Sequence, residues 1–232
     1  MKKTLLSWSS GKDSAWALHT LRRQSDLEIA GLVTTMNQLY QRVAIHAVRL
    51  ELLQRQAEAV GLPLYIIDLP YPCSNAQYEA AMEKFIEQSR QQGIECMAFG
   101  DLFLADIKEY REAKLSGTGI TPLFPIWLKP TGELAREMIT TGLRAIVTCV
   151  DPKQLPASFA GREFNEEFLS TLPGQVDPCG ERGEFHTFAF DGPMFSKPVD
   201  IVLGEITERE GFIYADVLPA SSDLSARANA GV

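Results

Sequence analysis

The sequence lacks paired cysteines: Cys73, Cys96, Cys149 and Cys179 are its only four, and no two are spaced as Cys-x-x-Cys. That spacing argues against a disulfide framework, a zinc ribbon or an iron-sulfur site, and Cys73, Cys96 and Cys149, in or beside apolar runs, are expected to be buried small hydrophobes. Histidine is scarce too, with three in the chain. No apolar run is long enough for a membrane span, and the start Met1-Lys2-Lys3-Thr4-Leu5-Leu6-Ser7 is too short for a signal peptide. Basic excess is also missing. With 22 Lys and Arg against 30 Asp and Glu, the net charge is −8, so a broad phosphate-backbone interface with nucleic acid is not expected. These absences predict a cytoplasmic protein without a membrane or nucleic-acid partner. The 232 residues, 45% hydrophobic and 22% charged, suit a large globular core.

What is present is an alternation of strand and helix. Apolar runs at 5–8, 28–36, 64–69, 94–99 and 145–150 read as strands. Between them lie helices at 13–22, along the Leu50, Leu53, Ala57 and Val60 stripe closed by Gly61 and Pro63, from Ser74 to Gly93, and from a capping Thr131 to Gly142. This rhythm predicts a parallel sheet with helices on both faces. Past Asp151-Pro152 it changes to a short helix near 163–170, a loop rich in glycine and proline, and strands near 185–190, 199–203 and 212–217. The expected division is 1–150 and 151–219, with a fraying tail at 220–232.

The densest signal is Ser9-Ser10-Gly11-Lys12-Asp13-Ser14, where the first strand breaks into small residues and opens a helix. A helix start leaves backbone N–H groups free, and the positive end of its dipole points the same way, which favours polyanions. Gly11 lets the main chain approach phosphate oxygens, Lys12 adds a charge, and the Ser9, Ser10 and Ser14 hydroxyls donate further bonds. The Walker loop is excluded because Leu6 and Asp13 stand where it needs Gly and Ser or Thr. An ordinary serine-capped helix is the plain alternative.

A second cluster is Asp177-Pro178-Cys179-Gly180-Glu181-Arg182-Gly183-Glu184-Phe185-His186-Thr187. If a strand starts at Glu184, then Glu184, His186 and Phe188 share a face, and a carboxylate beside an imidazole suits acid-base work. Two other readings stay open: a metal held by Asp177, Cys179, Glu184 and His186, in no standard zinc spacing, or a hairpin whose charges are simply solvated.

The first loop resembles the Ser-Gly-Gly-Lys-Asp-Ser signature of PP-loop ATP pyrophosphatases, with Ser10 in place of the first glycine. A serine fits there only if its backbone avoids positive φ or tolerates the strain. The second cluster, followed by Asp191-Gly192-Pro193-Met194-Phe195, resembles the carboxy-terminal signature of the diphthine-ammonia ligase branch of that superfamily. Gly100, Asp101, Arg111 and the Pro122-Leu123-Phe124-Pro125-Ile126-Trp127 segment extend the similarity over residues 3–195.

The resemblance implies a Rossmann-like, HUP-type α/β ATP domain and a smaller C-terminal α+β domain. It implies an enzyme that adenylates a carboxylate, small or protein-borne, and transfers ammonia to it, releasing AMP and pyrophosphate. ATP and Mg²⁺ are the implied cofactors. Residues 9–14 would bind ATP. Lys12, Glu181, Glu184 and His186 would do chemistry, and Gly100, Asp101, Arg111, Asp177, Cys179, Gly180 and Thr187 would line the substrate side. Arg111 is read either as a bidentate carboxylate clamp or as a helix-surface partner of Glu109 or Glu112. His19 and His46, a cap at the second helix, receive no role, and a homodimer is left open. A non-catalytic ATP-binding regulator and a tRNA-modifying enzyme are the rival functions; the acidic balance and lone cysteines weigh against tRNA.

Overall fold

The computed structural model describes residues 1–37, 42–43 and 48–220. His46 and positions 221–232 of the expected tail lie outside the described residues. In chain order the elements are β1 (Lys2–Ser7), α1 (Lys12–Leu21), β2 (Leu27–Asn37), β3 (Arg42–Val43), α2 (Leu50–Val60), β4 (Leu64–Leu69), α3 (Asn75–Gln91) and β5 (Cys96–Ala98). They continue with α4 (Ala105–Leu115), β6 (Thr121–Leu123), α5 (Thr131–Thr140), β7 (Arg144–Val150), a 3-10 turn (Ala157–Phe159), α6 (Glu166–Thr171), β8 (Phe185–Asp191), β9 (Ile201–Arg209) and β10 (Phe212–Pro219).

Five strands form a parallel sheet in the order β4-β2-β1-β5-β6, with β3 pairing antiparallel to the end of β2. Helices cover both faces. Trp16, Leu18 and Leu21 of α1 and Leu52, Leu53 and Val60 of α2 pack on one side, and Ile86 of α3 and Leu115 of α4 on the other. Local chemistry sets the helix ends where it was expected to. Ser74 accepts from the Gln77 amide in a capping box ahead of α3, and Gly61 closes α2 at φ 68°. Thr131 is the first helical residue of α5 rather than its cap, and its hydroxyl donates instead to Asp177 at 2.7 Å.

The second sheet is antiparallel, in the order β8-β7-β10-β9. The 145–150 run, expected as a fifth parallel strand, is β7 and sits inside this sheet between β8 and β10. Its residues from Val147 to Val150 are buried, and such a run fits either sheet equally well. The fifth parallel strand is instead β6, which holds Pro122 and lies at the edge, where a missing N–H is tolerated. The main apolar cluster does not stop between the sheets. It runs from Trp8, Trp16 and Leu52 into Phe164, Phe168, Phe185 and Phe188 without a break. Of the cysteines, Cys96, Cys149 and Cys179 are buried; Cys73, expected inside, is exposed.

Candidate functional site

β1 delivers its loop to the carboxyl end of the parallel sheet, where ligands of such sheets bind. Ser10 there has φ 71°, a left-handed conformation that a Cβ disfavours, and its hydroxyl is buried without a hydrogen-bond partner. The serine therefore tolerates the strain instead of avoiding it. Gly11 precedes α1 with an extended backbone and no side-chain cap. Ser9 and Ser14 share a hydroxyl contact at 3.2 Å, and Ser14 donates to the Gly11 carbonyl at 2.9 Å. Gly100 lies against this first turn: a Cβ added to it would come within 3.0 Å of the Asp13 carbonyl carbon and the Ser14 nitrogen. Only a bare Cα lets the end of β5 sit so close.

The second sheet closes over the same turn. The Lys12 amide donates to Thr187 Oγ1 at 3.1 Å, and the Ala189 amide donates to the Ser10 carbonyl at 2.9 Å. Lys12 itself is 2% exposed. Its ammonium donates to both Asp13 oxygens, at 2.9 and 3.1 Å, and to the Cys179 carbonyl, and lies within 5.5 Å of the Phe164 and Phe185 ring centres. Burial pulls its pKa down, but Asp13, Cys179 and Glu181 outweigh that and hold it above the ordinary lysine value. Burial raises Asp13, with Lys12 opposing the rise. Lys12, expected to reach phosphate, here joins the two loops through Asp13 and the Cys179 carbonyl.

The 177–187 loop is built by its own carboxylates. Asp177 Oδ1 accepts from the Cys179 amide at 2.9 Å and the Glu181 amide at 3.3 Å. Glu184, 1% exposed, accepts from the Asp177 amide through Oε1 and the Arg182 amide through Oε2, both at 2.9 Å. Both Glu184 oxygens, expected to serve chemistry, thereby hold the backbone of the turn, and the solvated-hairpin reading does not hold for this residue. Gly180 (φ 69°) has no room for a side chain, since a Cβ would meet the Phe185 carbonyl oxygen at 2.8 Å. The metal reading finds no support: among the described residues no three His, Cys, Asp or Glu side chains gather to hold an ion.

Glu181 differs from its neighbours. Oε1 accepts from the Leu102 amide at 2.8 Å and the Phe103 amide at 3.4 Å, tying this loop to the end of β5. Burial, with a contribution from Asp13 against the lowering effect of those amides, pushes its pKa up to about 7. Such a carboxyl changes charge near neutrality, as a proton-transfer group must.

His186 does not join this group. β8 starts at Phe185, so Glu184 is outside the strand, and Thr187 is the residue that points at α1. Strand alternation sends the His186 side chain to the opposite face. Arg111 forks onto Asp101, with Nη2 at 3.1 Å from Oδ1, and its guanidinium lies 4.4 Å from the Phe99 ring centre. The carboxylate it holds is the protein's own, and neither Glu109 nor Glu112 is its partner.

One site residue left no trace in the sequence: Gln56 of α2, 0% exposed, whose side-chain amide bridges Ser10, Ala189 and Trp8.

Comparison with known proteins matches the two halves in this order. The family described as diphthamide synthase N-terminal domain covers residues 1–120, and the diphthamide synthase C-terminal domain covers 130–217. Among curated relatives, the zebrafish (Danio rerio) protein named diphthine–ammonia ligase is 32% identical over 180 residues, 70% of this chain and 68% of its own length. The bovine (Bos taurus) and human (Homo sapiens) proteins of that name are 28% and 27% identical over 195 residues, 77% of this chain and 71% of theirs. Both family matches and the zebrafish identity lead to one conclusion: the chain belongs to the diphthamide synthase family, whose members include the diphthine–ammonia ligases.

Proposed function

We propose that the protein is an ATP-dependent ligase that adenylates a carboxylate and transfers ammonia to it, releasing AMP and pyrophosphate. The observation that carries this reading is the placing of Glu181, with its near-neutral pKa, over the first turn of α1, where Lys12 binds the two loops together. A free carboxylate resists ammonia because hydroxide is a poor leaving group. Attack of a carboxylate oxygen on the α-phosphorus forms an acyl-adenylate as the bond to the β-phosphate oxygen breaks. Ammonia then attacks the acyl carbon, AMP departs, and the proton shed by nitrogen goes to Glu181. Oε1 of Glu181 is anchored by Leu102 and Phe103, while Oε2 makes no hydrogen bond among the described residues.

The loop N–H groups and the start of α1 favour the negative charge that grows on pyrophosphate. Asp13 and Glu181 lie near the single buried ammonium of Lys12, and Asp177 adds its charge beside Asp13, so a bare triphosphate would be repelled. This supports a requirement for Mg²⁺, which Asp13 and the phosphates would hold together and which would neutralise that charge. The relatives' name makes diphthine the first acceptor to test, and the cytoplasm is the compartment that the lone cysteines favour.

The test supplies purified protein with ATP, Mg²⁺, ammonia and a panel of carboxylates that includes diphthine. The expected products are AMP, pyrophosphate and an amide; ADP and phosphate in their place would refute the proposal.

A further inference from the structure

Of the buried residues of α2, Gln56 alone is polar. Its Nε2 donates to the Ser10 carbonyl at 3.0 Å and to the Ala189 carbonyl at 2.6 Å, while Oε1 accepts from the Trp8 indole at 2.9 Å. The amide has one orientation that satisfies this set, because an indole N–H can only donate and carbonyls can only accept. The two carbonyls belong to the phosphate loop and to β8 of the second sheet. The Ser10 carbonyl is held twice, by Gln56 and by the Ala189 amide at 2.9 Å. Ser10 is also the strained residue, at φ 71° with a Cβ and an unpartnered hydroxyl. A residue keeps such a conformation only where its surroundings over-determine it.

We infer that Gln56 is a positioning residue for the nucleotide: it clamps Ser10 in the left-handed conformation and fixes the loop to β8, so that the first turn of α1 is set before ATP arrives. The part of this that concerns ATP rests on the function proposed above; the clamp itself does not. Replacement of Gln56 therefore frees the loop to relax. Replacement of Ser10 by glycine, which adopts positive φ without strain, makes the clamp unnecessary.

The experiment compares wild type, Gln56→Leu, Ser10→Gly and the double variant. Amide hydrogen exchange is read at Lys12 and Ala189 without nucleotide, and MgATP affinity by calorimetry. Gln56→Leu is expected to speed exchange at both amides by about tenfold or more and to weaken MgATP by about tenfold, the size of one such strain released. Adding Ser10→Gly is expected to restore both, a rescue that simple loss of core packing would not show. Unchanged exchange in Gln56→Leu, or no rescue in the double variant, overturns the clamp. If Gln56→Leu does not fold, Ser10→Gly alone decides: a raised melting temperature supports the strain at Ser10, and a lowered one removes the basis of the inference. A wild type that binds no ATP, with the exchange pattern as expected, leaves the clamp standing and defeats the nucleotide reading.

Discussion

The two loops that meet over α1 obtain their shapes in opposite ways. The 177–187 loop shapes its own turn: Asp177 and Glu184 accept from its amides, and its left-handed residues, Gly180 and Gly183, are both glycines. The 9–14 loop is dependent. Its left-handed residue is a serine, and the groups that hold it come from α2 and β8. The difference separates residues whose loss breaks a loop from residues whose loss alters chemistry, and it shows that rich carboxylate chemistry in a sequence can be scaffolding.

The largest effect should come from Gly180→Val. Positive φ and the clash with the Phe185 carbonyl are expected together to cost more than about 4 kcal/mol, visible as loss of the cooperative thermal transition. Glu184→Ala strands the buried Asp177 amide and the part-buried Arg182 amide and should cost about 2 to 3 kcal/mol in urea unfolding, with Glu184→Gln milder. Activity regained in full when Glu184→Ala is refolded by ligand or low temperature would agree with a buttress; a folded but inert variant would not.

Glu181→Gln should leave the fold intact and lower turnover by about a hundredfold, removing a limb of the pH-rate profile near pH 7. The same group gives stability a sign. Its folded pKa lies above its ordinary 4.5, so between about 4.5 and 7 the folded chain binds more protons than the unfolded one, and stability falls as pH rises through that window. With solvent screening the loss is about 1 to 2 kcal/mol, and it should vanish in Glu181→Gln. The smallest effect belongs to His186→Ala, expected to change turnover by less than about threefold, whereas Thr187→Val, which removes the acceptor for the Lys12 amide, should weaken MgATP by about fivefold. Equal effects at the two positions would erase the distinction between the faces of β8.

Short-range chemistry was readable in advance. Ser74 with Gln77, Gly61 after α2, and the break from β1 into a helix at Lys12 are all encoded within a few residues. Pairing across long separations was not. The run at 145–150 carries no mark of which sheet it joins, and β6 was hidden by Pro122. Gln56 sits on the apolar stripe of α2, yet Trp8, Ser10 and Ala189 stand 48, 46 and 133 positions away, so no local pattern announces it. The 9–14 and 177–187 loops stood out by residue type, and the fold brings them together. The division of labour inside the second did not stand out, because Glu181 and Glu184 differ only in what the fold places against their oxygens.

The two-residue repeat of β8 leaves this strand little freedom to drift. One residue inserted between Phe185 and His186 would turn an imidazole toward the amide that now meets a hydroxyl, and would carry Ala189 out of reach of Ser10. Length changes that β9, at the far edge of the sheet, could absorb would, in β8, reach the 9–14 loop at once.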